Sequence, residues 1–318
     1  MRSGRHPLAP YPSPEQRNRE LEGLAAGCLG VGRQAELVVY GTSVEGRPLS
    51  ALRLAGPGSG APKVLVCANT HGPEFIGNQV ALGLIRSLIQ GSPPPALVEL
   101  VDRAEIWIAP CLNPDGYART WAREGRGSLA SLRHNARGVD LNRNWPLPPG
   151  ERRRRLPGAG SDRPGDATYR GPEALSEPET AALEGLLAAQ NFLASANLHS
   201  FMGTIFPPRV RDRGSARRYT ALARSLRAGQ GHAYLKIASR TFDTFTGEQE
   251  DHQHHHHGCW SVCVESFPWR ASFAQHLRAP SLFWRFNPRN PQRWVDNDVP
   301  GIAAYLSAAV ALGDRPRS

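Results

Sequence analysis

The sequence predicts an α/β fold in which helices cover both faces of a β-sheet. Short apolar runs of strand length alternate along the chain with longer segments whose apolar residues recur at helical spacing. Several runs, Lys63–Ala68 among them, lack polar alternation, which is typical of strands buried on both faces. Hydrophobic residues make up 40% of the chain and charged residues 21%, enough apolar material to bury such a sheet. We therefore expect one domain at residues 36–313, preceded by an N-terminal lead and short helix at 1–35 and followed by a disordered tail at 314–318.

The N-terminal part is expected to form a helix and then an edge hairpin. Ser13 is a suitable N-cap for a helix over Pro14–Ala26, because its hydroxyl can accept a hydrogen bond from a free amide of the first turn. Glu36–Tyr40 and Pro48–Leu54 are short apolar segments separated by a turn that begins and ends in glycine, a pattern typical of a hairpin.

A strand, a helix and a second strand are expected next. Lys63–Ala68 predicts a buried strand, and the periodicity of Ile76–Ile89 predicts a helix that ends before Gly91. Glu105–Ala109 predicts another buried strand, which ends at Pro110.

The middle of the chain is expected to contain a long loop region. Tyr117–Gly171 is rich in Arg, Gly and Pro and has little periodicity, which favours loops that build a site. Ser176–Gln190 then predicts a helix, because Pro178 and the neighbouring acids suit its first turn. Phe192–Leu198 predicts a strand that is followed directly by His199.

The C-terminal part completes the expected fold with two helices and two strands. The apolar patterns predict a helix over Arg217–Gly229, strands over Ala233–Ala238 and Trp260–Val264, and a final helix over Pro300–Leu312. Glu265 directly follows the second of these strands. Ionisable residues at strand ends are noteworthy, because ligands of open α/β sheets bind there.

Charge and cysteine content narrow the class of protein. The net charge is +10 and comes almost entirely from arginine, but no aromatic-interleaved basic motif accompanies it, so we do not expect a nucleic-acid partner. The five cysteines are odd in number and several lie in apolar runs, which predicts reduced core thiols. No apolar run approaches the roughly 18 residues of a membrane span or forms a signal-peptide core. These observations predict a cytoplasmic protein with no membrane partner, and they do not predict its oligomeric state.

Residues at two strand ends predict a metal site. His71-Gly72-Pro73-Glu74 follows the Lys63–Ala68 strand, and its Gly and Pro favour a tight turn that can bring imidazole and carboxylate to one point. Zinc binds both groups at about 2.0–2.2 Å, and catalytic zinc sites use three protein ligands. His199 is the best candidate for the third. Taken alone, a strand-end histidine is more often structural and an H-x-x-E match is common by chance, so the hypothesis depends on their joint placement.

Further motifs follow in order, and the whole set resembles the carboxypeptidase A-like zinc metallopeptidases, a family of zinc carboxypeptidases with bacterial murein-peptide amidase relatives. The motifs span most of the chain and are His71-Gly72-Pro73-Glu74, Asn113-Pro114-Asp115-Gly116-Tyr117, Arg133, Gly138-Val139-Asp140-Leu141-Asn142-Arg143-Asn144-Trp145, Ser176-Glu177-Pro178-Glu179, His199-Ser200 and Glu265. The resemblance implies a mixed, mostly parallel eight-stranded sheet flanked by helices on both faces. It also implies one catalytic zinc ion and a peptide or wall-peptide substrate.

The resemblance assigns a role to each matching side chain. It implies that His71, Glu74 and His199 bind zinc and that Glu265 is the general base. A carboxylate beside a zinc-activated water can take the water's proton and pass it to the leaving amine. Arg133 matches the arginine that stabilises the developing oxyanion, a role that needs a fixed positive charge.

Two further residues match the clamp for the substrate's terminal carboxylate. The resemblance implies that Asn142 and Arg143 hold this group, since a planar guanidinium offers two parallel hydrogen bonds and an amide adds another. As loop residues, Asn142 and Arg143 also suit a turn and a salt bridge.

Arg126 and Arg137 lie in the same arginine-rich region as Arg133 and are alternatives for the oxyanion role.

The sequence departs from the family pattern upstream of Glu265. The family usually places a tyrosine on a loop that closes over the substrate, and here that place falls near Asp243, beside Phe242 and Phe245, with the nearest tyrosine at Tyr234. This departure puts the substrate-closing contact in question.

Glu250 matches the base of the family's specificity pocket. An acid there favours a basic or amine-bearing group, such as a terminal Lys or Arg or the diaminopimelate of bacterial wall peptides. A solvated loop charge is the other interpretation of this residue.

A histidine-rich stretch directly precedes the last catalytic strand. It comprises His252, His254, His255, His256 and His257. We expect an exposed flap or an opportunistic metal binder, since histidines in an accessible loop bind zinc readily. A third interpretation is that one of them lines the substrate pocket in place of the absent tyrosine.

The sequence therefore predicts a zinc-dependent metallocarboxypeptidase. One alternative is a murein-peptide amidase that cleaves the D-glutamyl-diaminopimelate bond. An alternative of another class is a non-catalytic zinc-binding or nucleic-acid-binding protein, against which Glu265 argues because metal binding alone needs no base.

Overall fold

An eight-stranded mixed sheet forms the centre of the protein in a computed structural model, which describes residues 6–154, 156–237, 245–269 and 273–316. The strands are β1 (Ala35–Thr42), β2 (Pro48–Leu54), β3 (Lys63–Ala68), β4 (Glu105–Ala109), β5 (Ala194–Ser200), β6 (Thr204–Phe206), β7 (Leu235–Lys236) and β8 (Trp260–Ser266). Their order across the sheet is β1-β2-β4-β3-β5-β8-β6-β7. The central neighbours β4, β3, β5 and β8 run parallel, whereas β1, β2 and β6 join the sheet through antiparallel pairs. This architecture confirms the predicted fold class.

Helices cover the sheet on both faces. They are α1 (Pro14–Gly30), α2 (Phe75–Ile89), α3 (Pro95–Val101), α4 (Pro114–Ala122), α5 (Leu129–Arg133), α6 (Pro178–Gln190), α7 (Arg213–Gly229), α8 (Gln249–His257), α9 (Phe273–Leu277), α10 (Phe283–Phe286) and α11 (Pro291–Leu312). Within the described ranges, none of these helices combines the length and apolarity that a membrane crossing requires.

Alternating side chains of the buried strands supply two cores. In β3, Val64 and Val66 pack into the larger core beside α2 and α11, whereas Leu65 and Cys67 pack with α6 on the opposite face. Successive strand residues point to opposite faces, so a run that is apolar throughout fills both cores. All five cysteines are free and buried, in agreement with the expected core thiols.

Several element boundaries differ from the predictions. The first helix has the expected Ser13 cap, completed by Gln16, but continues to Gly30. The last helix begins at Pro291 rather than Pro300, because Asn290 caps it and Pro300 lies within it. A proline can occupy a helix interior where tertiary packing offsets its missing amide, and α11 packs closely on α7 and α2.

The predicted long loop contains more regular structure than expected. It includes most of α4, all of α5 and a 3-10 turn at Leu141–Arg143. Side-chain caps explain these short elements, since Asn113 accepts from the amide of Gly116 and Asp140 accepts from the amide of Asn142.

The chain end also differs from the expected disordered tail over its described residues 314–316. The guanidinium of Arg315 donates to the carbonyls of Phe192, His257 and Gly258, which ties this segment to the domain.

Candidate active site

Three neighbouring parallel strands bring the predicted site residues to one edge of the sheet. β3 leads into the turn that carries His71 and Glu74, while β5 contains His199 and β8 contains Glu265. β5 lies between β3 and β8, and His199 and Glu265 are partners in the parallel register. The carboxyl ends of these strands therefore meet at one place, as expected for an open α/β sheet.

The turn after β3 depends on a glycine. The amide of Gly72 donates to the carbonyl of Arg133 over 3.2 Å. A β-carbon at position 72 would collide with the backbone of Leu132 and Gly116. Only glycine permits this close approach, which sets His71 against the segment that carries Arg133.

His71, Glu74 and His199 converge in the buried interior. His71 Nδ1 lies 2.8 Å from Glu74 Oε1, His199 Nδ1 lies 3.0 Å from Glu74 Oε2, and the two Nδ1 atoms are 3.1 Å apart. At most 3% of each residue is exposed. Burying three titratable groups together is costly unless each is paired or binds a metal.

The tautomer of His71 supports metal binding. Its Nε2 lies 3.1 Å from Asp140 Oδ1, a contact that requires Nε2–H in the neutral ring. In that tautomer Nδ1 carries the lone pair, and this nitrogen faces Glu74 and His199. A lone pair directed at a carboxylate suits metal ligation, and a histidine ligand commonly donates its other N–H to a carboxylate in this way.

The donor set fits zinc. Two imidazole nitrogens and one carboxylate form a known type of catalytic zinc site that leaves one position open. Ligand atoms around tetrahedral zinc lie about 3.3–3.6 Å apart, given bond lengths of about 2.0–2.2 Å, so small side-chain shifts would accommodate the ion.

Asp140 connects the metal ligands to Arg133. Its Oδ2 accepts from Arg133 Nε over 2.9 Å, while its Oδ1 contacts His71 and the amide of Asn142. Burial acts to raise the pKa of this carboxyl, but Arg133 and His71 outweigh it and hold the pKa well below its usual range. Asp140 lies within the Gly138–Trp145 motif, but the sequence alone does not indicate this role.

Arg133 and Glu265 are charged neighbours of the triad. The pKa of Arg133 is raised even though burial opposes this, because Asp140, Glu74 and Glu265 surround the guanidinium with negative charge. Burial acts to raise the pKa of Glu74, but His71 and His199 lower it by more, so that the pKa is about 2. The site therefore contains a fixed positive charge beside three acidic side chains.

Glu265 has the environment of a proton acceptor. Its side chain is partly exposed, but Oε2 is buried and has no hydrogen-bond partner among the described residues. Burial, and next the charge of Glu74, raise its pKa well above the usual range, while Arg133 opposes the shift. A bound cation beside Glu74 would oppose it further.

Asn142 and Arg143 lie beside the start of α8. Asn142 Oδ1 accepts from the amide of Gln249 over 3.0 Å. Arg143 Nη1 contacts Glu248 Oε1 at 3.3 Å, and the guanidinium lies over the ring of Phe245, 4.7 Å from its centroid. The structure thus places the proposed carboxylate clamp next to the helix that carries Glu250.

Glu250 is buried in α8 rather than exposed on a loop. Only 2% of the residue is exposed, and its Oε2 has no hydrogen-bond partner within the described ranges. Burial, followed by the charges of Glu248 and Asp251, raises its pKa well above the usual range, and Arg143 opposes this shift. The solvated-charge interpretation of Glu250 is therefore wrong.

Tyr234, the tyrosine nearest in sequence to the expected position, lies in the core. Phe242 and Asp243 lie outside the described residues. Tyr234 is 1% exposed, and its hydroxyl accepts from the amide of Phe267. It is therefore engaged in the core in this structure.

The histidine-rich stretch is a helix, not an exposed flap. His252, His254 and His255 are buried in α8, which ends at Gly258 in a left-handed conformation. Tertiary contacts explain why this composition forms a helix, for example the 2.9 Å hydrogen bond between Tyr219 Oη and His254 Nδ1.

The fold brings a group of residues that could hold a metal ion, together with Glu265 and Arg133, to the carboxyl ends of parallel strands. Comparison with known proteins makes the assignment specific, because the sequence pattern of the zinc carboxypeptidase family matches residues 31–268. The chain belongs to the zinc carboxypeptidase family, which confirms the resemblance seen in the sequence.

Its relatives include much longer proteins. Human carboxypeptidase D is 35% identical over 224 residues, which cover 59% of this chain but 14% of the human protein. Mouse carboxypeptidase M is 29% identical over 245 residues, which cover 73% of this chain and 50% of the mouse protein. The chain therefore matches at most half the length of these two relatives.

Solved structures show the same fold. Bovine thrombin-activatable fibrinolysis inhibitor, in complex with tick carboxypeptidase inhibitor, superposes with a TM-score of 0.73 at 19% identity, over 95% of this chain and 98% of that one. Carboxypeptidase A from Helicoverpa armigera superposes with a TM-score of 0.73 at 20% identity, over 96% and 75% of the two chains.

Proposed function

We propose that this protein is a zinc-dependent metallocarboxypeptidase that hydrolyses the C-terminal peptide bond of its substrate. The convergence of His71, Glu74 and His199 beside Glu265 and Arg133 carries this proposal. A single zinc ion held by the three ligands supplies a Lewis acid that acidifies water and polarises a carbonyl.

Glu265 is the proposed general base. Its unpartnered buried oxygen can accept a proton from the attacking water and deliver it to the leaving nitrogen. Arg133, held by Asp140, presents a fixed positive charge to the carbonyl oxygen as negative charge develops there.

Asn142 and Arg143 are the proposed clamp for the terminal carboxylate. In this structure Arg143 donates hydrogen bonds to Glu248 and to backbone carbonyls. A substrate carboxylate would replace some of these contacts with charge-assisted hydrogen bonds, which are stronger than neutral ones. This clamp would restrict the enzyme to chain ends.

Glu250 supports a preference for basic or amine-bearing terminal residues. A buried carboxyl oxygen without a hydrogen-bond partner among the described residues is costly, and a cationic side chain bound beside it would satisfy it. The same observation keeps a murein-peptide amidase as the second candidate, since diaminopimelate also carries an amine.

The test is metal content combined with release of C-terminal residues from a peptide library. The library includes Lys-, Arg- and Leu-terminated peptides, their amidated forms and a wall tripeptide with diaminopimelate. One equivalent of zinc lost in His71→Ala, and residues released only from free carboxyl ends, would support the carboxypeptidase. Cleavage of the wall tripeptide alone would favour the amidase, and zinc uptake without any cleavage would favour a non-catalytic protein.

A cytoplasmic location stays a prediction. The five buried thiols support it, because unpaired cysteines persist in reducing compartments.

A further inference from the structure

A second group of potential metal ligands lies between α6 and α8, and we call Glu184, His252 and His257 the α6–α8 site. Glu184 Oε2 is 2.6 Å from His252 Nε2 and 2.9 Å from His257 Nε2. This donor set, two imidazoles and a carboxylate, is the same as that of His71, Glu74 and His199. It suits zinc and other divalent first-row metals.

The ring of His252 has two stacking neighbours. It stacks on Trp145, with ring centroids 5.2 Å apart, and on His256, with centroids 4.6 Å apart. Both stacks are nearly parallel, with interplanar angles of 28° and 29°. A ligand whose orientation is fixed by its surroundings loses little conformational entropy when it binds a metal.

The remaining histidines of α8 have other partners. The rings of His254, His255 and His256 contact Tyr219, the carbonyl of Arg209 and the carbonyl of Leu147, respectively. Only two of the five histidines therefore converge on Glu184. The cluster is produced by packing of α8 on α6 and not by the density of histidines in the sequence.

The site is also accessible. The side chain of His252 is 2% exposed, but those of His257 and Glu184 are 14% and 28% exposed. An ion can thus enter from solvent and retain water at a remaining coordination position.

We propose that Glu184, His252 and His257 bind a second divalent metal ion, with zinc as the first candidate, that joins α6 to α8. The role of this ion is structural. α8 also carries Glu250 and Gln249, and the backbone amide of Gln249 donates a hydrogen bond to Asn142. An ion bound there fixes the helix that supplies one wall of the candidate active site. This site is separate from the catalytic ligands and does not depend on the proposed peptidase activity.

Zinc titration of metal-stripped protein tests the proposal. We expect wild type to bind two equivalents of zinc. His71→Ala should bind one equivalent, and this zinc should still raise the melting temperature of the variant. Adding Glu184→Gln to His71→Ala should weaken the remaining equivalent at least about 100-fold, and His252→Ala with His257→Ala should abolish it. His255→Gln is the matched control, because it removes a histidine of the same helix whose ring contacts the carbonyl of Arg209 rather than Glu184, and it should retain both equivalents.

Two results would overturn the proposal. One is His71→Ala protein that binds no zinc. The other is a second equivalent that survives Glu184→Gln, which would show opportunistic binding by the histidine-rich helix. Should the double histidine variant fail to fold, the near-isosteric Glu184→Gln still decides the question, with circular dichroism confirming its fold.

Discussion

His199 and Glu265 are direct partners in the parallel register of β5 and β8. A proposed metal ligand and the proposed base are thus held at one level of the sheet by backbone hydrogen bonds. Residues on adjacent buried strands keep their spacing better than residues on loops, which suits a reaction that needs an accurately placed base.

Glu265→Gln should separate metal binding from turnover. The amide has almost the same shape but cannot take a proton, so we expect zinc content to be unchanged and kcat to fall at least about 100-fold. Glu22→Gln, on the exposed face of α1, is the control. Retention of more than a tenth of wild-type kcat would exclude Glu265 as the base.

Asp140→Asn should weaken zinc binding and catalysis together. Asp140 accepts from both His71 and Arg133, and loss of such a partner typically lowers metal affinity about 10–100-fold. Competition with a chromophoric chelator measures the affinity. Asp102→Asn, which removes an exposed partner of Arg33, should leave it unchanged. An unaltered affinity in Asp140→Asn would contradict this role.

Arg143→Ala should abolish discrimination between free and amidated peptide ends. Hydrogen bonds to charged groups contribute about 1.5–3 kcal/mol, so the ratio of kcat/KM for the two substrates should fall by up to about 100-fold. Arg137→Ala is the matched control, since Arg137 is an exposed arginine of the same region. Equal discrimination in wild type and Arg143→Ala would mean that another group binds the terminus.

Glu250→Gln should change terminal-residue preference. A carboxylate attracts a Lys or Arg side chain and an amide does not, so kcat/KM for these substrates should fall about tenfold or more. A Leu-terminated peptide serves as the internal control and should be affected less. A uniform loss on all substrates would indicate a structural role instead.

Glu105→Gln should reveal a pH-dependent contribution to stability. Burial alone would raise the pKa of Glu105, but its bonds from Arg53 and Trp107, each 2.7 Å long, lower it. A carboxyl whose pKa is lowered in the folded state stabilises that state above its unfolded pKa of about 4.3, and the contribution disappears as pH falls through the folded value.

We therefore expect Glu105→Gln to lower the free energy of unfolding by about 1 kcal/mol at pH 7, and the difference from wild type to shrink towards pH 3. Urea unfolding across this range measures it. Glu36→Gln, the more exposed partner of Arg53, should show a smaller effect. A difference that grows as pH falls would refute the assignment.

The central strands could be predicted because strands that are buried on both faces have mostly apolar sequences. Lys63–Ala68 and Glu105–Ala109 are strands with the predicted bounds, since a short apolar run without polar alternation is typical of a strand buried on both faces. The ligands and Glu265 could be found at the ends of such runs. Their assigned roles stay predictions until the variants are measured.

Features created by tertiary contact were not predictable. Asp140 lies between His71 and Arg133 only because the turn after β3 meets the segment before the 3-10 turn. The helical state of α8 depends likewise on partners distant in sequence, such as Tyr219 and Glu184. The local sequences around Asp140 and in α8 do not indicate either set of contacts.

The two glycines that flank α8 have a consequence for how this family diversifies. Gly247 and Gly258 both have positive φ, so the chain enters and leaves the helix through conformations that its interior residues do not determine. Exchange of residues 248–257 between relatives would carry Glu250 with the helix, but Glu184 would stay behind on α6. Chimeras should therefore transfer terminal-residue preference without the second metal site unless residue 184 is exchanged as well, so that the two traits can be inherited separately.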